Sequence, residues 1–189
     1  MPEVKCVYCQ TRVCTDDIEK TPNFCPRRIA EEALEKAEEI RTTDSEVMKI
    51  AEVAKSVETE GYRKWPRVQE LIEFSKRMGI EKIGVAFCVG LKEETTQLAK
   101  ILESHGFNLS TVACSVNSGC NPVGQALTLN QQATELNVVM GLCMGHDILF
   151  SNFSEAPVTT LVVKDRAMCH NPAAPLVNRY WRDTFLKKE

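Results

Sequence analysis

No apolar run in this sequence approaches the about 20 residues that a helix needs to cross a bilayer. The opening residues, MPEVKC, lack the apolar core of a secretory signal. From these two absences the chain is expected to be cytoplasmic. Basic charge is not in excess, because 23 Lys and Arg face 26 Asp and Glu, for a formal net charge of −3. Without a dominant basic field, neither nucleic acid nor an anionic membrane surface is an expected partner. Several catalytic signatures are also missing. No G-x-G-x-x-G follows the first apolar run, and no H-E-x-x-H occurs. GCNPVGQA (119–126) has the glycine spacing of a phosphate loop, but Gln125 and Ala126 stand where Lys and Ser/Thr are needed. There is no internal repeat and no low-complexity linker.

Cysteine is what the chain has in plenty, with nine in 189 residues. A hydrophobic content of 43% and a charged content of 26% are those of a globular domain. A domain of this size hides roughly 70% of the surface its unfolded chain exposes, so cysteines are not needed to replace a core. An odd number cannot all pair, and a reducing cytoplasm disfavours disulfides. The cysteines are then packing residues, catalytic thiols or metal ligands.

Four of them, Cys6, Cys9, Cys14 and Cys25, fall in the pattern C-x2-C-x4-C-x10-C. Thiolates this close together can surround one metal centre, and C-x2-C lets two sulfurs grip it from one turn of backbone. Pro26 follows Cys25 and suits the first position of a helix, whose positive end stabilises a thiolate there. The set fits tetrahedral zinc and equally an iron–sulfur cluster, for which a terminal Cys-Pro is a recurrent ending. Spacing does not separate the two. The spare cysteines and the Cys-Pro ending lean towards iron–sulfur. A redox C-x-x-C should follow a strand and open a helix, whereas only five residues precede Cys6. Four unliganded cysteines would leave residues 1–25 with reactive thiols and nothing to order them.

Periodicity predicts three helices next. The first starts at Pro26 with Ile29, Ala33, Ala37 and Ile40 facing a core, and Thr43 with Glu46 has capping-box spacing for the second. Val47, Ile50, Ala51, Ala54 and Val57 line that second helix, which Gly61 stops. The third runs from Pro66 to Gly79. Strands and helices then alternate. A continuous apolar, β-branched run at 83–89, a less purely apolar one at 107–116, and further runs at 137–143 and 158–165 predict strands, the first and third buried on both faces. Helices are predicted at 92–106, from Asn121-Pro122 to about 135, at 146–153 and from about 173. The expected fold is α/β: a mostly parallel sheet of about four strands, flanked by helices. The chain divides into a Cys-rich metal-binding loop (1–25), a helical segment packed on the body (26–79) and an α/β body (80–189), compact as a whole.

In a parallel sheet the strand ends gather on one edge, where open α/β folds bind ligands. Cys88 closes the first predicted strand, Cys114 and Cys120 lie at and beyond the end of the second, and Cys143 closes the third. Cys169 follows the fourth, and Gly90, Gly119, Gly145, His146 and His170 fall in the same region. Cys88, Cys114, Cys120, Cys143, His146 and His170 are therefore candidates for a second site that binds a metal, cofactor or small molecule. Cys120, Cys143 and His146 are its catalytic candidates, as thiol nucleophiles with a histidine base. For single members, core packing and helix capping are the competing explanations.

CVYCQTRVC with PNFCP, IGVAFCVGLKEE, CNPVGQA, NVVMGLCMGHDILF, APVTTLVVKDR and HNPAAPL together resemble a family of small cysteine-rich prokaryotic proteins. That family is described as uncharacterised, predicted metal-binding proteins. The resemblance spans nearly the whole chain and carries no established reaction. It implies that Cys6, Cys9, Cys14 and Cys25 are the metal ligands. It also sets Cys88, Cys120, Cys143, His146, His170 and Asn171 in motif blocks, and Cys169 where a small residue such as glycine is expected. Two functions follow as expectations. One is a metal–sulfur protein for electron transfer, sensing or metal handling, with a redox partner protein. The other is a small-molecule enzyme with a structural zinc and a Cys/His site at the sheet edge. A weaker third is an interaction module whose metal folds the N-terminus as a docking surface.

Overall fold

The computed structural model describes residues 3–10, 14, 17–117 and 119–187, and the chain separates into two units, residues 1–55 and 56–189. In the first, Pro26 does open a helix, but α1 (Pro26–Ile29) lasts a single turn. The backbone breaks at Ala30 (φ −136°, ψ 37°), and α2 (Glu31–Thr43) starts afresh with Glu31 and Glu32 at its positive end. Asp44, not Thr43, caps α3 (Ser45–Gly61). Its Oδ1 accepts from Glu46 N–H at 2.9 Å and Val47 N–H at 3.1 Å, while the Thr43 hydroxyl turns back to the Glu39 carbonyl at 2.7 Å. Ala33, Ala37 and Ile40 were expected to face a core, yet all three are exposed. The helix reads EEALEKAEEIRTT, so its apolar stripe is thin and set among glutamates. None of the described residues between 3 and 55 is buried.

The second unit is the α/β body. Its helix α4 (Arg67–Met78) ends at Gly79, whose φ of 77° supplies the left-handed turn. Arg77 of α4 donates to Ser56 Oγ at 2.8 Å and to both Glu60 carboxylate oxygens at 2.9 and 2.7 Å. Four strands follow: β1 (Lys82–Phe87), β2 (Asn108–Ala113), β3 (Leu136–Met140) and β4 (Val158–Val162). They pair in the order β2-β1-β3-β4, all parallel. Between them run α5 (Lys92–Ser104), α6 (Pro122–Gln131) and α7 (His146–Phe153). The expected α/β fold with a four-stranded parallel sheet is the one observed.

Alternation along the strands divides the core. Ile83, Val85, Val138 and Met140 point to one face, against Leu71 and Ile72 of α4 and Leu98 and Leu102 of α5. Ala86, Val112 and Val139 point to the other, with Ala126 and Leu129 of α6 and Phe150 of α7. Helices on both faces explain why β1 and β3 read as unbroken apolar runs. One polar residue interrupts β3: fully buried Asn137, which accepts from Thr134 Oγ1 at 2.8 Å and donates to Ser154 Oγ at 2.8 Å. Gly84 lies across from it on β1, where a Cβ would overlap the Asn137 amide.

The strands stop earlier than their apolar runs suggest. β1 and β2 end one residue before Cys88 and Cys114, and β3 ends at Met140, because Gly141 turns the chain with φ 66°. The cysteines thus lie in the turns past the sheet. α6 ends at Gln131 rather than near 135, because Ala133 takes a φ of 50°. The last predicted helix is broken into α8 (Ala174–Val177) and α9 (Arg179–Leu186) by Asn178, whose side chain caps Trp181 N–H at 3.3 Å. Among the described residues, no helix is long and apolar enough to cross a membrane. Replacing Gly84 by Ala forces a methyl into the Asn137 network and should cost about 1–3 kcal/mol, read as a lowered midpoint in chemical denaturation. An unchanged midpoint would mean that the glycine is not required by packing.

Candidate functional site

Strand register creates the site. Phe87 is paired with Ala113, and Cys114 N–H continues the ladder by donating to the Phe87 carbonyl at 2.7 Å. On the other side of β1, Cys88 N–H donates to the Met140 carbonyl at 3.2 Å. Cys88 and Cys114 are therefore the residues that follow the last pair of β1 and β2, in one core cluster with Ala86 and Val112. Each affects the acidity of the other. The Val89 N–H donates to Cys114 Sγ at 3.5 Å. Fully buried Gln125 holds the strand ends together from α6. Its Nε2 donates to the Val112 carbonyl at 2.7 Å and to the Phe87 carbonyl at 3.2 Å.

Beyond β4, the chain places Lys164 and Arg166 among these sulfurs. A point one methyl out from Gly90 lies 3.9 Å from Cys88 Sγ and 3.7 Å from Lys164 Nζ. Burial alone would push the Cys88 thiol up, but the Gly90 N–H, the Lys164 ammonium and the Cys114 thiol together hold it below the ordinary cysteine range. Cys114 goes the other way. Its burial outweighs the Val89 hydrogen bond, and the neighbouring Cys88 sulfur adds to the rise. Two neighbouring thiols are thus driven apart in acidity. Arg166 donates to Cys143 Sγ at 3.1 Å. That bond is the main cause holding the guanidinium above its usual range.

The predicted residues separate into groups here. Cys88, Cys114, Cys120 and Cys143 are linked to one another through these interactions. His146 opens α7, its N–H donating to the Cys143 carbonyl at 2.9 Å. His170 serves its own loop: its Nδ1 accepts from Asp165 N–H at 3.1 Å, and its N–H donates to the Asp165 carbonyl at 2.8 Å. Cys169 has a φ of 49°, a left-handed conformation that favours glycine. Lys164, Arg166 and the structural use of Gln125 were not singled out from the sequence. The available signal was VVKDR, two cations just past a strand whose end faces the cysteines. Among the described residues, no three His, Cys, Asp or Glu side chains are grouped as a metal ion requires.

At the N-terminus, Cys6 opens a tight turn in which Cys9 N–H donates to the Cys6 carbonyl at 3.0 Å. Cys25 caps α1 immediately before Pro26, and its carbonyl accepts from Arg28 N–H at 2.9 Å. Arg28 fastens this corner. Its guanidinium donates to the carbonyls of Ile18 at 2.5 Å, Glu19 at 3.0 Å and Thr21 at 3.1 Å, and to Thr21 Oγ1 at 2.9 Å. Cys6 and Cys14 are exposed, and Cys9 and Cys25 are half-buried.

A test of the sheet-edge electrostatics is Lys164→Met. The ammonium favours the Cys88 thiolate, so its loss moves the pH midpoint of Cys88 alkylation upward. At pH 7 the rate with iodoacetamide, followed by peptide-resolved mass spectrometry, should fall several-fold. An unaltered pH profile would remove Lys164 from the account.

Comparison with known proteins agrees in extent with this architecture. The chain is 39% identical, over 202 aligned positions, to the uncharacterized protein MJ0455 of Methanocaldococcus jannaschii, covering 97% of this chain and 99% of that protein. A family model described as a protein of unknown function, DUF1847, matches residues 25–119 and 115–161. Those residues include Cys25, the first three strands, β4 up to Leu161, and Cys88, Cys114, Cys120 and Cys143, while Cys6, Cys9 and Cys14 precede them. The chain belongs to this DUF1847 family of proteins of unknown function.

Proposed function

We propose that this is a cytoplasmic metal–sulfur protein, in which Cys6, Cys9, Cys14 and Cys25 hold one metal centre. The observation that carries the reading is that no described residue between 3 and 55 is buried. Hydrophobic burial does not fix the fold of this unit, and units of such size without a core commonly need a metal or other cross-link. Four thiols within residues 6–25 are the available cross-link. The local backbone suits them. Cys6 and Cys9 share one hydrogen-bonded turn, and Cys25 stands at a helix start. Closing the remaining loop around the centre is work that metal binding itself does, since ligation and folding are coupled in small metal domains. An all-sulfur donor set suits an iron–sulfur cluster or zinc, with the Cys25-Pro26 ending favouring the cluster. When bound, an iron–sulfur cluster would supply one-electron transfer to a redox partner protein, whereas zinc would supply structure. In either case the protein's part is to orient the sulfurs, with Arg28 fixing the corner beside Cys25.

A second reading is favoured by the sheet edge, where Lys164 and Arg166 meet the thiols. It makes the body a small-molecule enzyme and the metal structural. Anaerobic purification separates the two. Iron with acid-labile sulfide supports electron transfer or sensing, and colourless protein with one tight zinc supports the structural role. The Cys6→Ser/Cys9→Ser double variant should lose the metal and expose residues 1–25 to protease. Unchanged metal content in that variant would refute the ligand assignment.

A further inference from the structure

We infer that Cys88 and Cys114 are a thiol–disulfide exchange couple, Cys88 the attacking sulfur and Cys114 the resolving one, acting on small disulfides that carry carboxylates. The inference is independent of the N-terminal metal, since neither residue lies in that loop. Geometry provides the pair. The two residues come directly after Phe87 and Ala113, the last pair of two adjacent parallel strands, and the Cys114 N–H bonded to the Phe87 carbonyl keeps that register. Such strands lie about 4.8 Å apart, within the Cα separations of about 4.4–6.8 Å that a disulfide spans. Both residues belong to one buried core cluster, with Ala86 and Val112 behind them. The Gln125 amide clamps the two strand ends, which lowers the cost of bringing the sulfurs together.

The pair is also asymmetric, as exchange requires. Cys88 keeps 9% of its surface exposed and Cys114 only 3%, so an incoming disulfide meets Cys88 first. Exposed Gly90 places no side chain over the Cys88 sulfur, whose residue is otherwise buried. Lys164 stands beside that sulfur, and Arg166 is exposed nearby on Cys143. Two cations at the entrance, with no compensating carboxylate bonded to either among the described interactions, favour an anionic substrate.

The chemistry balances without a further reagent. The Cys88 thiolate attacks one sulfur of R–S–S–R, forming Cys88–S–S–R and releasing RS⁻. Cys114 gives up its proton to that departing thiolate and attacks the Cys88 sulfur. The second RS⁻ leaves and is protonated by solvent. Two electrons pass from the protein dithiol to the substrate, and the products are a Cys88–Cys114 disulfide and two thiols. The reverse sequence reduces the protein with two small thiols.

The test uses the full chain as purified, held anaerobically in mixtures of reduced and oxidised glutathione. Acid quenching, alkylation and peptide mapping by mass spectrometry then follow each cysteine. The expected result is a Cys88–Cys114 cross-link whose fraction follows a two-electron titration. Cys114→Ser should trap glutathione on Cys88, and Cys88→Ser should abolish the cross-link while keeping wild-type metal content. Should Cys114→Ser fail to fold, the wild-type titration decides alone. Oxidised glutathione should react about tenfold faster than cationic cystamine at low salt, by electrostatic steering. Absence of the cross-link across the titration would overturn the couple and leave two packing cysteines. Equal rates for the two disulfides would overturn the assignment of an anionic substrate.

Discussion

The parallel register of β1 with its two neighbours is the constraint on which the rest of the body depends. Because β1 pairs with both β2 and β3 in the same direction, three strand ends arrive together at one edge. Each is followed within a few residues by a cysteine: Cys88, Cys114 and Cys143. The chain leaves β1 towards one neighbour and returns to place β3 on the other side, which is where open parallel sheets bind ligands. The polar atoms buried near that register serve to hold it. Gln125 bridges the ends of β1 and β2, and Asn137 anchors β3 to Thr134 and Ser154. Gly84 leaves the space that Asn137 needs.

The N-terminal unit rests on a different physical basis. Its helices carry hydrogen-bonded caps and ion pairs, such as Asp44 on α3 and Arg41 with Glu38, but these are exposed and contribute little each. Without buried side chains among its described residues, the unit lacks the term that dominates folding elsewhere. Thiols are concentrated there and none of the described residues is buried, and the proposed metal–sulfur centre would account for both. At the sheet edge the reverse holds. Cys88 and Cys114 belong to a buried core cluster, and Lys164 and Arg166 stand beside the thiols there.

Much of the body was legible in the sequence because its signals are strong and local. Largely apolar, β-branched runs mark β1 and β3, and Asn121 with Pro122 marks the start of α6, where the Asn121 side chain accepts from Gly124 N–H at 2.8 Å. The position of the cysteines at strand ends followed from the same runs. Strand order did not, since register is decided by pairing between distant segments. The runs also overshot the strands, because Leu142 and Val116 are apolar for packing rather than for pairing. Around α2 the helical period was present but its burial was not, since a thin stripe of alanines resembles a core face whether or not anything covers it. Lys164 and Arg166 were hidden for another reason. Cations after a strand are ordinary, and only the fold shows which sulfurs they meet. At Cys169, the expectation of a glycine-like position found its cause in a left-handed backbone.

The proposed centre takes its ligands from Cys6, Cys9, Cys14 and Cys25. X-ray absorption at the iron and zinc edges of the anaerobically purified protein tests it most directly. The account predicts an all-sulfur first shell at about 2.3 Å, unchanged when Cys88, Cys114 and Cys143 are together replaced by Ser. A first shell dominated by nitrogen or oxygen, or one lost with those three replacements, would contradict it.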